Sequence, residues 1–316
     1  MRSQLRWYSF RWQVGVPVAV LAVLAWYSLA GRYHHPIDAG PAGPSVDPAH
    51  FSHVWSRDKH VLLGIGDSIT AGFGATEGHG YLDLLVTNDV AVYPEMKGRD
   101  LSAVLPTLSL STYAVSGSTS FEHLTDQVAL IKPFPADVRG IVVITSGGND
   151  LIHDYGRSPA RDGAMYGCTI EQARTWRPSF EKRLRKLIEG VDHRFPGGCD
   201  IFVANIYDPT DGVGDIHNAH VMLPRWPDGE KALTLFNKTI ADVCSSYPNV
   251  HLVDIHSQFL GHGIHCRNWR SPYYRRDDPH YWYYENLEDP NDRGYDAIRR
   301  IFLNEIAKVL DRDRDG

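Results

Sequence analysis

The sequence has little of what several common protein classes require. Its 316 residues contain four cysteines (Cys168, Cys199, Cys244 and Cys266), and their spacing is not that of a metal site. Lysines and arginines form no block, and the net charge is -6. Nucleic-acid binding normally requires a basic face, so the composition argues against such a partner. No internal repeat or low-complexity stretch occurs within residues 57–316, so an ordinary globular domain is expected there.

The first thirty residues differ from the rest of the chain. Arg2, Arg6 and Arg11 precede an uncharged run over residues 14–30, whose length lies between a signal-peptide core and a short membrane span. Arginines before such a run favour a cytoplasmic N-terminus and export of the remainder. Residues 1–31 are therefore predicted to be a signal or anchor helix. Anchoring in the inner membrane is favoured over cleavage, with the rest of the chain in the periplasm.

A segment rich in proline and glycine, residues 32–56, follows and is typical of a spacer. Residues 57–316 then suffice for one large domain with a full core. Export would permit a disulfide bond, but four cysteines allow three pairings and the sequence selects none of them.

Short apolar runs alternate with helical patterns from residue 60 onward. Strands are predicted over 60–65, 108–115, 140–145, 200–205 and 250–254, and helices over 121–131, 170–195, 230–247 and 293–310. Most of the strands are rich in β-branched residues and have no polar face, which is typical of a parallel sheet covered on both sides. The alternation predicts a doubly wound α/β domain with five parallel strands.

Polar segments follow the first three predicted strands. They are residues 66–72 (GDSITAG), 115–119 (VSGST) and 146–150 (SGGND). All three would emerge at the carboxyl edge of a parallel sheet, where ligands bind at the reversal of strand order. With the order 2-1-3-4-5, Ser68 and Asn149 would face each other across that crevice.

These residue types suit acyl transfer. Ser68, in a tight turn after a strand, would be the nucleophile. The Ser68 N–H, the Gly117 N–H and the Asn149 amide would stabilise the oxyanion. Asp277 lies three residues before His280, a spacing that allows a carboxylate to orient a histidine base. The predicted reaction is ester hydrolysis through an acyl-enzyme on Ser68.

The GDSIT segment, the Gly117 loop, GGND and the DxxH spacing together resemble the SGNH, or GDSL-like, hydrolases. The resemblance covers about residues 61–310. It implies a three-layer flavodoxin-like fold, esterase or lipase activity and no cofactor. Carried over, Ser68 is the nucleophile, Gly117 and Asn149 are oxyanion donors, and His280 is the base oriented by Asp277.

One departure from that pattern concerns the base. In the family, a Pro commonly follows the histidine and a Gly-Tyr pair comes five residues after it. Here the position five residues before Gly294-Tyr295 is Asp289, followed by Pro290. Either a short insertion separates His280, which lies 14 residues before Gly294, from the last helix, or the base is another histidine, such as His262 or His265. His280 is favoured because of the Asp277 spacing.

Other functions stay open at this point. The aspartates of YDPTDGVGD (Asp208, Asp211 and Asp215) suggest a metal-dependent phosphoesterase, and the fold alone would suit an inactive glycan-binding module. The aromatic run over residues 273–284 fits either substrate binding or core packing. The ester substrate, whether acyl or acetyl and whether on carbohydrate or lipid, is not determined by these residues.

Overall fold

The computed structural model describes residues 17–25, 38–156, 165–218 and 223–311. Of the uncharged run predicted to be a signal or anchor helix, residues 17–25 are helical and exposed, and the remainder lies outside the described residues. Within the described ranges, no helix combines the length and the apolar character needed to cross a membrane.

The centre of the domain is a five-stranded parallel sheet. Its strands are β1 (Lys59–Ile65), β2 (Leu108–Thr112), β3 (Val138–Thr145), β4 (Cys199–Ala204) and β5 (Val250–Val253). Their order is β2-β1-β3-β4-β5, and every neighbouring pair is parallel. The predicted sheet and its strand order are confirmed. The order reverses between β1 and β3, where the register pairs Ile65 with Ile144.

Helices connect the strands and cover both faces of the sheet. The α-helices are α1 (Ser68–Ala71), α2 (Tyr81–Val86), α3 (Leu101–Val104), α4 (Ser120–Glu122), α5 (Val128–Leu130), α6 (Gly148–Ile152), α7 (Ile170–Asp192), α8 (Gly229–Cys244), α9 (Ile255–Phe259) and α10 (Asp292–Leu310). One π-helical turn, His123–Gln127, joins α4 to α5. Short 3₁₀ helices occupy Pro48–Phe51, Pro94–Met96, His153–Gly156 and Ile216–Asn218.

The two faces of the sheet carry separate hydrophobic cores. Alternate residues of a strand point to opposite faces, so Leu62 contributes to one core while Val61 and Leu63 contribute to the other. The first core contains the buried stripe of α10, and the second contains those of α7 and α8. The domain therefore has three layers, helices–sheet–helices.

Two predicted elements differ in detail from the structure. β2 ends at Thr112 and has no buried residue, because it is an edge strand. Ser109, Leu110 and Thr112 are exposed. The helix predicted over 121–131 is interrupted by the π-helical turn at His123. π-Bulges occur frequently at functional sites.

The segment before β1 packs against the domain, although its composition predicts a spacer. Val46 is buried, and Gly43 leaves no room for a Cβ, which would lie 2.6 Å from the Cα of Ala297 in α10. The Ala42 N–H donates to the buried Asp296 carboxylate at 2.8 Å. Proline and glycine prevent a long helix here, but they do not prevent small apolar side chains from being buried.

All four cysteines are buried and none is in a disulfide bond. They are distributed over α8, β4 and the loops before α7 and after α9. The cysteines therefore contribute to packing in this structure.

Candidate active site

Ser68 lies where β1 ends and the short helix α1 begins. The preceding Asp67 caps this helix by accepting a hydrogen bond from the Ile69 N–H at 3.2 Å. Gly66 has φ +145°, and a Cβ there would lie 2.4 Å from Thr145 Oγ1. Only glycine fits this position, so the strand can approach β3 and turn sharply at Ser68. Ser68 is thereby presented at the carboxyl edge of the sheet, at the reversal of strand order.

Asn149 lies in the first turn of α6, directly after β3. Gly147 has φ +106°, and a Cβ there would lie 2.9 Å from the Phe180 ring. Asn149 Nδ2 donates to the Ser118 carbonyl at 3.0 Å. An amide nitrogen carries two hydrogens, so the second is available to a bound substrate.

Gly117 lies in the exposed loop after β2 and has φ +80°. No atom lies within 4 Å of the position that its Cβ would occupy, so the backbone there is open to a ligand. Asn149 contacts the next residue of this loop, and the two predicted oxyanion loops are thus joined.

His123 forms a second link between these loops. Its Nε2 lies 2.9 Å from Ser118 Oγ and its Nδ1 lies 3.0 Å from Ser146 Oγ. The ring is fully buried, and burial lowers its pKa to about 4. The imidazole is therefore neutral at neutral pH, with one nitrogen donating and the other accepting.

Ser68 and Asn149 open into the same pocket, which has a volume of about 1040 Å³ with its open mouth included. Its walls are largely apolar, and they include Leu151, Tyr155, Ile206, Tyr207, Trp226 and Leu233. Such a lining suits an apolar group held beside the serine.

Asp289 is the carboxyl group that faces Ser68. It is 3% exposed, and its Oδ2 accepts a hydrogen bond from Asn286 Nδ2 at 2.6 Å. Burial raises the pKa of Asp289, while the Ser68 hydroxyl and the Asn286 amide lower it. Oδ1 of Asp289 is buried and has no well-directed hydrogen bond from the described residues. This oxygen is therefore free to accept the serine proton.

The structure does not bring the predicted histidine base to Ser68. His280 is exposed, and its Nδ1 bonds Asp278 Oδ1 at 2.5 Å in place of the predicted partner Asp277, which is exposed. Arg293 also bonds Asp278, at 2.6 Å. Among the described residues, no hydrogen bond joins His280 to Ser68. Asp277 ends a turn, and residues 278–280 have no regular structure. The carboxylate two residues before the ring reaches it, and the one three residues before it does not.

The two alternative histidines are occupied elsewhere. His262 is buried and stacks on Trp282 with ring centroids 3.4 Å apart, and burial lowers its pKa to about 4. His265 Nε2 pairs with Asp215 Oδ1 at 2.9 Å. Neither ring bonds Ser68 in the described part of the chain.

The loop that suggested a metal site has a structural role. Asp211 is fully buried and accepts three backbone N–H groups, those of Gly261 and Gly263 at 2.8 Å and that of His265 at 2.9 Å. Asp208 accepts bonds from the Thr210 N–H and hydroxyl and from the Gly212 N–H. These oxygens are already used by the protein, and the described residues include no group of three or more potential metal-ligating side chains suitably placed.

The aromatic run next to the predicted base divides into two parts. Tyr281, Trp282 and Tyr283 are buried in the core on the α10 side of the sheet, whereas Tyr273 is exposed. Core packing therefore accounts for the central residues of the run.

Asp289, Asn286 and His123 are the residues of this site that sequence reasoning missed. The signal for Asp289 was present, because it occupies the position five residues before Gly294-Tyr295. Asn286 precedes it by three residues, the same spacing as that between Asp277 and His280. The role of His123 had no local signal, since its partners come from two other loops.

The sequence matches those of known proteins. Residues 65–297 match the GDSL-like lipase/acylhydrolase family. An uncharacterised protein of Bacillus subtilis, YpmR, is 24% identical over 184 residues, which are 55% of this chain and 63% of that protein. The chain thus matches less than two thirds of the relative's length.

A solved structure shows the same fold. An extracellular lipase from Streptomyces rimosus superposes with a TM-score of 0.50 at 18% identity, covering 78% of this chain and 99% of the lipase. A GDSL-like lipase described as putative, from Parabacteroides merdae, has a TM-score of 0.46 at 16% identity, covering 81% and 97% of the two chains. From the match over residues 65–297, which spans most of the domain, it follows that the chain belongs to the GDSL-like lipase/acylhydrolase family.

Proposed function

We propose that this protein is an exported serine hydrolase that cleaves carboxylic esters through an acyl-enzyme on Ser68. The observation that carries the proposal is the position of Ser68, in the turn between β1 and α1, beside Asn149 in one apolar pocket. A serine that follows a strand in this way directs its hydroxyl and its own N–H towards the same crevice.

In this mechanism the Ser68 hydroxyl attacks the ester carbonyl, and the carbonyl oxygen becomes negatively charged. Ser68 N–H, Gly117 N–H and Asn149 Nδ2–H stabilise that charge, and the loss of one such donor costs about 3 kcal/mol of barrier. The alcohol leaves, and water then hydrolyses the acyl-enzyme. His123 bonds Ser118 and Ser146 and thereby holds the Gly117 and Asn149 loops together.

The apolar walls of the pocket support an ester with an apolar acyl group. Tyr155, Ile206, Tyr207 and Trp226 offer hydrocarbon surface and few polar partners beside the serine. The polar hydroxyls of an acetylated sugar ring would find little to bond there. We therefore expect nitrophenyl esters of medium-chain acids to be better substrates than the acetate, as measured by kcat/KM.

The test of the nucleophile is Ser68→Ala. Ester hydrolysis should fall roughly 10⁴-fold, because the covalent route is lost, while the midpoint of urea unfolding stays within error of the wild type. Ser116→Ala is the matched control, since Ser116 is an exposed serine in the neighbouring Gly117 loop. A Ser68→Ala variant that kept a tenth of wild-type turnover would overturn the assignment.

We also propose that residues 14–30 direct export and hold the protein at the inner membrane. The support is the arginine-flanked uncharged run. Fractionation of cells producing the full chain should place it in the membrane fraction, with the hydrolase domain accessible to protease from the periplasmic side. Recovery of the full-length chain in the soluble cytosol would contradict this.

A further inference from the structure

A serine nucleophile requires a group that removes its proton, and the histidines around this site are unsuited to that task. His280 is exposed and bonds Asp278, His262 is stacked on Trp282, and both ring nitrogens of His123 bond other serines. The groups that flank Ser68 are instead two carboxyls, Asp67 and Asp289.

The two carboxyls differ in what already binds them. Asp67 Oδ1 accepts from Thr145 Oγ1 at 2.7 Å and from the Ile69 N–H at 3.2 Å, so it caps α1 and ties β1 to β3. Burial raises the pKa of Asp67 to about 7, and the charge of Asp289 contributes to that increase. Oδ1 of Asp67 is thus already engaged by β3 and α1, whereas Oδ1 of Asp289 has no hydrogen bond from the described residues.

The surroundings of Asp289 fix its orientation. Asn286 Oδ1 accepts the N–H groups of Glu288 and Asp289 at 3.2 and 3.1 Å, while its Nδ2 donates to Asp289 Oδ2 at 2.6 Å. The Tyr207 hydroxyl donates to the Glu288 carbonyl in the same turn. One carboxylate oxygen is thus held by the turn. The other has no hydrogen bond from the described residues, and the Ser68 hydroxyl is close enough to lower the pKa of this carboxyl.

We propose that Asp289 is the general base for Ser68 and replaces the histidine of the usual catalytic triad, with Asn286 as its positioning residue. The proposal rests on the proposed function. Oδ1 of Asp289 takes the proton from Ser68 Oγ as the bond from Oγ to the carbonyl carbon forms. The resulting carboxylic acid gives that proton to the departing alkoxide when its C–O bond breaks. During hydrolysis of the acyl-enzyme, Asp289 takes a proton from water as hydroxide adds to the acyl carbon. It returns that proton to Ser68 Oγ when the carboxylic acid leaves.

A carboxylate base has a measurable consequence. An imidazole base loses activity as it is protonated near pH 6.5, whereas a carboxylate stays ionised to lower pH. The acid limb of kcat/KM should therefore report the ionisation of Asp289, whose pKa lies above the ordinary carboxyl value because the group is buried. The weaker base should also favour esters with good leaving groups, so nitrophenyl esters should far exceed ethyl esters of the same acid.

The experiment compares four variants of the full chain on a medium-chain nitrophenyl ester from pH 4 to pH 9. Asp289→Asn keeps the shape of the side chain and should lower kcat roughly 100-fold or more, within the range expected for loss of a general base. His280→Ala should stay within about twofold of the wild type, because its ring bonds Asp278 at the surface. Asp289→His places an imidazole at the same buried position and should change the pH of the acid limb, because a different group then titrates. Asn286→Asp should also shift the acid limb upward, since two adjacent carboxyls resist ionising together.

The outcomes separate this proposal from the proposed function. Labelling of Ser68 by a fluorophosphonate reports the nucleophile itself, and it should be fast in the wild type and His280→Ala but slow in Asp289→Asn. If Asp289→Asn retains wild-type kcat, or if His280→Ala loses activity while Ser68 remains essential, Asp289 is not the base. If the wild type neither hydrolyses the ester nor reacts with the probe at any pH, the serine hydrolase proposal itself fails. If Asp289→Asn does not fold, the other two variants decide. An acid limb of the pH profile that is the same in Asp289→His and Asn286→Asp as in the wild type would show that Asp289 is not the base.

Discussion

The loops after β1, β2 and β3 and the segment between α9 and α10 form two sides of one site, but they are held in different ways. The first set, which carries Ser68, Gly117 and Asn149, emerges directly from the sheet edge, so strand pairing places it. The second runs from residue 260 to 291 without a long helix or strand. It is held by the buried Asp211, which accepts three of its backbone N–H groups. Strand pairing sets the geometry of the sheet-edge loops, whereas the geometry of the second segment depends on a few individual side chains.

The largest loss of stability is expected at Gly66, a sheet-edge position with no room for a Cβ atom. Gly66→Ala should reduce the free energy of unfolding by about 4 to 5 kcal/mol, because φ +145° and a Cβ 2.4 Å from Thr145 Oγ1 add strain to a clash. Urea unfolding measures it. Gly117→Ala is the matched control, since nothing lies near its Cβ and only the cost of positive φ remains, about 1 kcal/mol. Equal losses in the two variants would contradict the difference in local packing.

Asp211→Ala tests the means by which the second segment is held. Two buried N–H groups and one half-buried N–H group would lose their acceptor, so the loss in unfolding free energy should be about 3 kcal/mol. Hydrogen exchange should show that protection falls first at Gly261, Gly263 and His265. Asp215→Ala breaks only the half-buried pair with His265 and should cost less than about 1 kcal/mol. If Asp211→Ala lowered hydrogen-exchange protection only in the sheet, contacts other than those of Asp211 would hold the segment.

The buried imidazole behind the sheet-edge loops predicts a pH dependence. Burial lowers the pKa of His123 from its usual 6.5 to about 4, so the unfolded chain binds a proton between these values and the folded protein does not. The contribution of His123 to stability is therefore complete above pH 6.5 and lost as the pH falls towards 4. The advantage of the wild type over His123→Gln should shrink by about 3 kcal/mol between pH 7.5 and pH 4. A constant difference between the two unfolding curves would rule out a neutral buried ring.

The smallest effect is expected at the predicted triad carboxylate. Asp277 is exposed and His280 bonds Asp278 instead, so Asp277→Asn should change kcat less than twofold and the unfolding free energy by less than about 0.5 kcal/mol. Steady-state kinetics on the nitrophenyl ester checks it. Tenfold slower turnover would restore Asp277 and His280 to the catalytic machinery.

These differences explain which predictions from the sequence succeeded. The β-branched strands and the helical stripes of α7, α8 and α10 are periodic, and periodicity depends only on local spacing. Because parallel strands end at one edge, the loops with Ser68 and Asn149 could be placed together from strand order alone. The hydrogen-bond partner of His280 could not be predicted in the same way, since the DxxH spacing at Asp277 and His280 carries no information about where an irregular loop runs.

The sequence by itself determined the sheet, its order and the two loops that bring Ser68 and Asn149 to one pocket. Their geometry follows from backbone pairing and from glycines that no other residue can replace. Only the tertiary structure decided which carboxyl faces the serine. Asp289 faces Ser68 from the turn that Asn286 holds just before α10, and His280 stays at the surface, where its ring bonds Asp278. A side chain on a long loop takes its partner from three-dimensional contacts, and those contacts leave no periodic trace in the chain.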